Sequence, residues 1–213
     1  MSRLRFSISM SLDGFAAGPD QSVDDPLGKG GMRLHEWVFP LAVWREPHGM
    51  PGGEVNESSA IVREAIANIG ATVMGRNMFG GHPGAWSKDK PWNGWWGDDP
   101  PFHHPVFVVT HHPRDPLVLK GGTTFTFVTD GVESAVAQAK RAAGAKDVSL
   151  GGGANVAQQC LRAGLVDQME INQVPILLGA GERLFDGVSD LGGLELARTV
   201  ATPKVVHLKF VRK

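Results

Sequence analysis

The sequence predicts an α/β fold: a mixed, mostly parallel central sheet flanked by helices, finished by a C-terminal antiparallel hairpin. Three observations point there. Strand-like and helix-like runs alternate through the middle of the 213-residue chain, the order that builds parallel strands joined by right-handed crossovers. Two strand-like runs stop at glycine, Ala71 to Met74 at Gly75 and Asp147 to Leu150 at Gly151-Gly152-Gly153, the second just before a helix-like run. The last two period-two runs are joined only by a turn around Thr202-Pro203, which makes them antiparallel to each other.

The elements follow in order. Arg3 to Met10 alternates Leu4, Phe6, Ile8 and Met10 against Arg3, Arg5, Ser7 and Ser9, the period of a strand, and leads into a Ser11-Leu12-Asp13-Gly14 turn. Residues 16–53 are rich in Gly, Pro and Asp, with a short helix expected near Leu34 to Trp44. Asn56 caps the next helix through its side-chain oxygen. Ile61, Ala65, Ile66 and Ile69 recur at helical spacing, and Gly70 suits the left-handed position that ends a helix. Ala71 to Met74 reads as a short buried strand ending at Gly75-Arg76. A second long loop, Gly80 to His104, carries Trp86, Trp92, Trp95 and Trp96. Pro105 to Thr110 is an apolar, β-branched strand, and Thr123 to Thr129 alternates as another. Val132, Ala135, Val136, Ala139 and Ala143 form an amphipathic helix ended by Gly144. Asp147 to Leu150 is a strand, Gly151-Gly152-Gly153 opens a helix over Asn155 to Ala163, and Val166 to Pro175 is a strand. Leu194 to Thr202 and Lys204 to Arg212 form the hairpin. With no internal repeat and no composition break, residues 1–213 read as a single domain.

Composition excludes several functions. The 21 basic and 22 acidic residues leave a formal charge of −1, which favours neither nucleic acid nor an anionic membrane as partner. Cys160 is the one cysteine, so no disulfide forms within the chain, and its place on a helix face predicts a buried, inert thiol. No apolar run approaches the roughly 20 residues that span a bilayer, and the opening residues lack the features of a signal peptide. The expected location is the cytoplasm. There is no Tyr, which removes a phenolic acid from the available chemistry.

Three strand ends carry chemistry. In Val148-Ser149-Leu150-Gly151-Gly152-Gly153-Ala154-Asn155-Val156, a strand stops, glycines turn the chain and a helix begins. Helix starts present unpaired N–H groups and a partial positive charge, and glycines let backbone approach a ligand closely. A diphosphate is the natural guest, although a tight turn without a ligand has the same signature. The spacing matches neither the Rossmann fingerprint nor the P-loop. In Val73-Met74-Gly75-Arg76-Asn77 a second strand ends at glycine, with an arginine able to grip phosphate or stack on a base. In Val108-Val109-Thr110-His111-His112-Pro113 a third ends in hydroxyl and imidazole groups. Ligands of open α/β sheets sit at such carboxyl ends, so together the three predict a dinucleotide. His103, His104, His111 and His112 have no carboxylate or thiolate at ligand spacing, and no metal is expected.

These segments make the chain similar to the dihydrofolate reductase superfamily, nearest to the reductase domain of bacterial riboflavin biosynthesis (the RibD C-terminal domain) and its stand-alone relatives. The resemblance rests on Ser9 to Gly14, Met74-Gly75-Arg76, Val148 to Asn155, Gly164-Leu165-Val166-Asp167, and Val174 to Gly181, in that order over nearly the whole chain. It implies a dihydrofolate reductase-like fold that binds NADPH and a small-molecule substrate, as a homodimer. It further implies that Gly75 and Arg76 hold the adenosine phosphate side, and that Thr110 and His111 lie near the 2′-phosphate or adenine. Gly151, Gly152, Gly153, Ala154, Asn155 and Val156 then carry the diphosphate, and Ser11 and Asp13 border the nicotinamide and substrate. Glu36 is a candidate proton donor beside Asp13. Trp92, in the tryptophan loop, is a candidate for stacking on a flat substrate, with core anchoring as the alternative. The function implied is hydride transfer to a small heterocycle or carbonyl. Alternatives are reduction of 5-amino-6-(5-phosphoribosylamino)uracil and a non-catalytic dinucleotide sensor. The chain departs from the riboflavin enzymes where Phe15-Ala16-Ala17-Gly18-Pro19 replaces their Ser-x-Trp-Ile element, and where their Asp-x-Pro-x-Leu-x-x-Arg segment is missing after Arg76.

Overall fold

The computed structural model describes residues 2–89 and 91–213. Strand β1 is Leu4–Ser11, followed by a short β2 at Phe15–Ala17. The helix expected near Leu34 to Trp44 is two smaller pieces: a 3-10 turn at Gly31–His35 and the four-residue α1, Ala42–Arg45. Pro40 explains the break, because it supplies no N–H to continue a helix. Helix α2, Glu57–Ile66, starts as expected at Asn56, which exchanges side-chain and backbone hydrogen bonds with Ser59 in a capping box. Gly70 does not end it. Asn68 takes the positive φ, at 59°, and Gly70 lies inside β3, Ile69–Gly75. Glycine is required there for space: a Cβ would come within 2.9 Å of the Ala143 carbonyl oxygen.

Arg76 begins α3, Arg76–Phe79, and β4 is Pro105–Val109. A two-residue β5, Leu117–Val118, precedes β6, Thr124–Val128. Next come α4, Val132–Ala143, β7, Asp147–Leu150, and α5, Ala154–Arg162. Strand β8 is Gln168–Val174 and β9 is Glu182–Arg183. The hairpin is β10, Leu194–Ala201, with β11, Val206–Arg212. Strands β2, β5 and β9 have two or three residues each, too few for period-two alternation to be visible in the sequence.

The chain packs as two compact units, one of residues 1–5 and 68–166, the other of residues 6–67 and 167–213. In the first, the opening residues of β1 pair with β7, and the order continues through β3, β4 and β6, all parallel. β5 closes the edge antiparallel to β6. Strands β3 and β4 are largely apolar and buried, with Thr72 the one polar side chain in them. Helix α4 lies on β3, β4 and β7 through the buried Val132, Ala135, Val136, Ala139 and Ala143, the face the sequence indicates. The core gathers Met74, Phe79, Val106, Val108, Phe125 and Phe127, with Trp86, Trp92, Trp96 and Phe102 packed against them.

The second unit holds the rest of β1, then β8, β11 and β10 in that order. β11 is antiparallel to both its neighbours. β2 and β9 make a separate two-stranded sheet. An apolar cluster of Leu34, Trp37, Val38, Leu41, Val43, Val174 and Val205 stabilises this unit. The mixed, mostly parallel sheet with flanking helices and a C-terminal hairpin is thus the architecture the sequence implies.

Candidate functional site

Within the first unit, the predicted cofactor residues meet at the carboxyl ends of three neighbouring parallel strands. The Gly75 N–H donates to the Gly152 carbonyl at 2.9 Å, and the Gly151 N–H to the Val73 carbonyl at 2.8 Å. β3 and the glycine turn after β7 are therefore laced together. Gly75 is needed for this contact, since a Cβ would lie 2.8 Å from Cγ2 of Val156. The Gly152-Gly153 peptide is cis. A Cβ built on Gly152 or Gly153 meets nothing within 4 Å, so this backbone faces open space. Helix α5 starts beside it with no side-chain cap. Its first backbone bond is Ala157 N–H to the Gly153 carbonyl at 3.2 Å, which leaves the N–H groups of Ala154, Asn155 and Val156 ahead of the helical ladder. The turn has room and donors for an anion, and no carboxylate competes for them in the segment from Gly151 to Val156.

Arg76 stands at the next strand end, with its Cζ 3.1 Å from the ring centroid of Trp86 and its Nη2 donating to the His82 carbonyl at 2.8 Å. Burial, aided by the nearby Arg114 guanidinium, pushes its pKa down to about 10. Thr110 follows β4 but is 5% exposed, and its Oγ1 accepts the His112 N–H at 3.2 Å. It shapes the turn, while His111 is exposed beside it. The other histidines have structural partners: His104 Nε2 is 2.8 Å from Thr72 Oγ1, and His103 Nδ1 is 3.0 Å from the Gly121 carbonyl.

Trp92 packs as an anchor. Its indole N–H donates to the Phe79 carbonyl at 2.9 Å, and its ring meets that of Trp95 edge-on at 4.6 Å. Cys160 is fully buried on α5, and burial pushes its thiol up to about 12, which makes it unreactive as expected.

In the second unit, Asp13 is fastened to its own chain. Its carboxylate accepts the Ser11 hydroxyl at 2.6 Å, the Gly179 N–H at 2.7 Å and the Leu178 N–H at 3.2 Å. The Ser11 hydroxyl, with help from these two amides, holds its pKa down at about 2. Asp13 is therefore ionised at neutral pH and serves as an acceptor, not as a proton donor. These bonds explain why the Ser9–Gly14 and Val174–Gly181 motifs occur together: one clamps the other. Ser11 is 0% exposed, and its oxygen also accepts the Phe15 N–H at 3.0 Å. It positions Asp13 through this buried hydroxyl. Glu36 is exposed on the turn after Gly31–His35.

A buried relay also lies in this unit that the sequence did not reveal. Ser58 Oγ is 2.9 Å from His207 Nε2, His207 Nδ1 is 2.6 Å from Asn172 Oδ1, and Asn172 Nδ2 donates to Ser7 Oγ at 3.0 Å. The order is that of a serine hydrolase triad, but Ser58 is 3% and His207 0% exposed, so no substrate reaches it. Burial, with the Arg198 charge nearby, lowers the His207 pKa from 6.5 to about 4. Between those values the unfolded chain binds more protons than the folded one. Stability from this site is complete above pH 6.5 and declines as pH falls toward the folded pKa, by about 3 kcal/mol in all. We expect His207→Gln to melt below wild type at pH 7.5, with the gap narrowing toward pH 4.5. A gap that stays constant in thermal melts across this range removes His207 as the linked group.

Comparisons with known proteins agree with this geometry. The family model of the RibD C-terminal domain matches residues 3–208. The chain belongs to the RibD C-terminal domain family. No curated protein matches it at a significant level. A solved structure of a putative riboflavin biosynthesis protein from Shewanella sp. PV-4 is 22% identical, with a TM-score of 0.60 over 100% of this chain and 99% of that one. The Thermotoga maritima diaminohydroxyphosphoribosylaminopyrimidine deaminase/5-amino-6-(5-phosphoribosylamino)uracil reductase is 13% identical, with a TM-score of 0.56. All of this chain matches it, but only 57% of that longer protein is covered. Dihydrofolate reductase from Enterococcus faecalis, complexed with NADP(H) and RAB-propyl, is 14% identical with a TM-score of 0.51, covering 99% and 96% of the two chains. At these identities the likeness establishes the shared fold. The RibD C-terminal fold thus presents the glycine turn, Gly75 and Arg76 on one strand-end edge.

Proposed function

We propose that this RibD C-terminal domain protein is an NADPH-dependent reductase that transfers a hydride to a small heterocyclic or carbonyl substrate. The observation that carries the reading is the turn from Gly151 to Val156, with two glycines facing open space and an uncapped helix start behind them. A dinucleotide's diphosphate suits such a cradle of main-chain N–H groups, and the Enterococcus relative was solved with NADP(H). Gly151 to Val156 would hold the diphosphate and Arg76 the phosphate on the adenosine side. Thr110 would shape the wall against which the adenosine rests, with His111 exposed beside it. When bound, the nicotinamide supplies the hydride. The protein's part is to bind and orient: Asp13, ionised and braced by Ser11, Leu178 and Gly179, is an acceptor for a substrate N–H or O–H.

A second reading is reduction of 5-amino-6-(5-phosphoribosylamino)uracil, which the family and the Thermotoga relative favour. Loss of NADPH absorbance on adding that pyrimidine would select it; loss only with other heterocycles or carbonyls would select the broader reading. NADPH binding without turnover of any substrate would instead select a dinucleotide sensor. The same proposal carries a cytoplasmic homodimer acting on a small molecule. Supporting it, no helix among the described residues is long and apolar enough to cross a membrane.

Isothermal titration tests the cofactor. We expect micromolar or tighter NADPH binding, and no heat with either NADPH or NADH would overturn the proposal. Arg76→Ala is expected to weaken NADPH by about tenfold to a hundredfold, the scale of a lost charge-assisted pair, and NADH much less. Equal losses would remove Arg76 from the 2′-phosphate.

A further inference from the structure

One dipeptide in the tryptophan loop is chemically labile. Of the six asparagines in the chain, only Asn93 precedes glycine; the others precede Glu57, Ile69, Met78, Val156 and Gln173. Asparagine is a thermolabile residue, and before glycine it loses ammonia most readily, because no Cβ keeps the next backbone nitrogen away from its side-chain carbonyl carbon. Asn93 is exposed, so water reaches it. Gly94 has a φ of 94°, and a Cβ there would lie 3.2 Å from Cε3 of Trp96 and 3.3 Å from Cε2 of Phe79. The aromatic packing therefore keeps glycine at this position. The Gly94 N–H donates to no backbone carbonyl among the described residues, which leaves its nitrogen available.

A guanidinium already sits on the carbonyl that this nitrogen would attack. Arg114 Nη2 donates to Asn93 Oδ1 at 2.9 Å, and its Nη1 donates to the Trp92 carbonyl. Its Cζ is 5.1 Å from the rings of both Trp86 and Phe127, which steady the cation. Donors fixed on a carbonyl oxygen stabilise the negative charge that the oxygen gains when a nucleophile adds. No Asp or Glu forms an ion pair with Arg114 among the described residues, and burial pushes its pKa below the usual range. A carboxylate in place of the Asn93 amide would supply that partner, through a hydrogen bond roughly twice as strong as one to a neutral acceptor.

We propose that Asn93-Gly94 is a self-modification site, at which the Arg114 guanidinium promotes deamidation of Asn93 in the folded protein. The Gly94 nitrogen gives its proton to solvent and bonds to Cγ of Asn93, whose oxygen takes up the charge beside Arg114. The bond from Cγ to Nδ2 then breaks and ammonia leaves, closing a succinimide ring. Water opens that ring at either carbonyl, giving aspartate or isoaspartate at position 93. The net change is amide plus water to carboxylate plus ammonium, with nothing oxidised or reduced. Aspartate keeps the tie to Arg114 as an ion pair. Isoaspartate adds a methylene carbon to the main chain just before Gly94, where Trp96 and Phe79 stand close.

Peptide mass spectrometry of the whole chain, held in warm, mildly alkaline buffer, tests this. The peptide containing Asn93 should gain the mass of amide-to-acid conversion, and faster in the folded chain than in the same chain unfolded in guanidinium chloride. Arg114→Ala should slow the folded reaction by about threefold to tenfold, less than an enclosed oxyanion donor contributes, because this loop is open to water. Arg114→Lys, which keeps a cation without the fork, should fall between. Asn93→Gln should abolish the product. Conversion in the unfolded chain that equals or exceeds that in the folded one would overturn the proposal, because the fold would then shelter Asn93. An unchanged rate in a folded Arg114→Ala protein, with circular dichroism as the check on folding, would overturn it as well. Should that variant not fold, the Arg114→Lys rate and the folded-to-unfolded comparison decide.

Discussion

Asn155→Asp is expected to raise the melting temperature slightly while weakening NADPH binding by about thirtyfold. The two effects have opposite signs because one charge acts on two things. Asn155 is exposed in the first turn of α5, where a carboxylate favours the positive end of the helix by about 0.3–1 kcal/mol. The substitution keeps the oxygen that accepts the Gln159 amide at 2.6 Å, so the local structure has no reason to change. A diphosphate held at the same turn meets the new charge at close range, and unit charges about 5 Å apart at an effective dielectric of about 20 repel by several kcal/mol. Thermal melts and NADPH titration on the same preparation check both halves. A stabilised protein with unchanged affinity would move the diphosphate away from this turn.

Phe79→Ala is expected to be the most damaging single change to the fold, costing about 3–5 kcal/mol, the usual range for emptying a buried phenylalanine site. Phe79 is 0% exposed. It meets Trp86, Phe125 and Phe127 edge-on at 5.7, 5.1 and 5.3 Å, so its loss leaves three rings without a common neighbour. It also closes the short helix that Arg76 begins, which ties core packing to the position of the guanidinium. At about 2–4 °C per kcal/mol for a chain of this size, the melting temperature should fall by roughly 10 °C. Phe79→Leu, which refills most of the volume, should recover more than half of that. A melting temperature within a degree or two of wild type for Phe79→Ala would show that the aromatic cluster is not the core of its unit.

Most of the fold was legible because local rules and burial agree. β1, β4, α4 and the closing hairpin each carry a period and boundary residues that point one way, and the structure ends them within a residue or two of the expected positions, as it starts α2 at the expected Asn56 cap. The failures have physical causes. Gly70 resembled a helix stop, but its small size is needed against Ala143, a contact between residues far apart in sequence. The clamp between the Asp13 carboxylate and the Leu178 and Gly179 amides, some 165 positions away, leaves no local mark either. The glycine turn was legible because glycines ahead of a helix leave a local mark. Arg114, Trp86 and the Ser58–His207–Asn172 relay were not, since each gains meaning only from partners that folding brings near.

The central claim is that bare main-chain N–H groups at the start of α5 receive the cofactor's diphosphate. The most direct measurement is a crystal structure grown with NADPH. It should place diphosphate oxygens about 2.7–3.2 Å from amide nitrogens of the turn spanning Gly152 to Val156. NADPH found with its diphosphate elsewhere, and that turn open to solvent, would contradict the account.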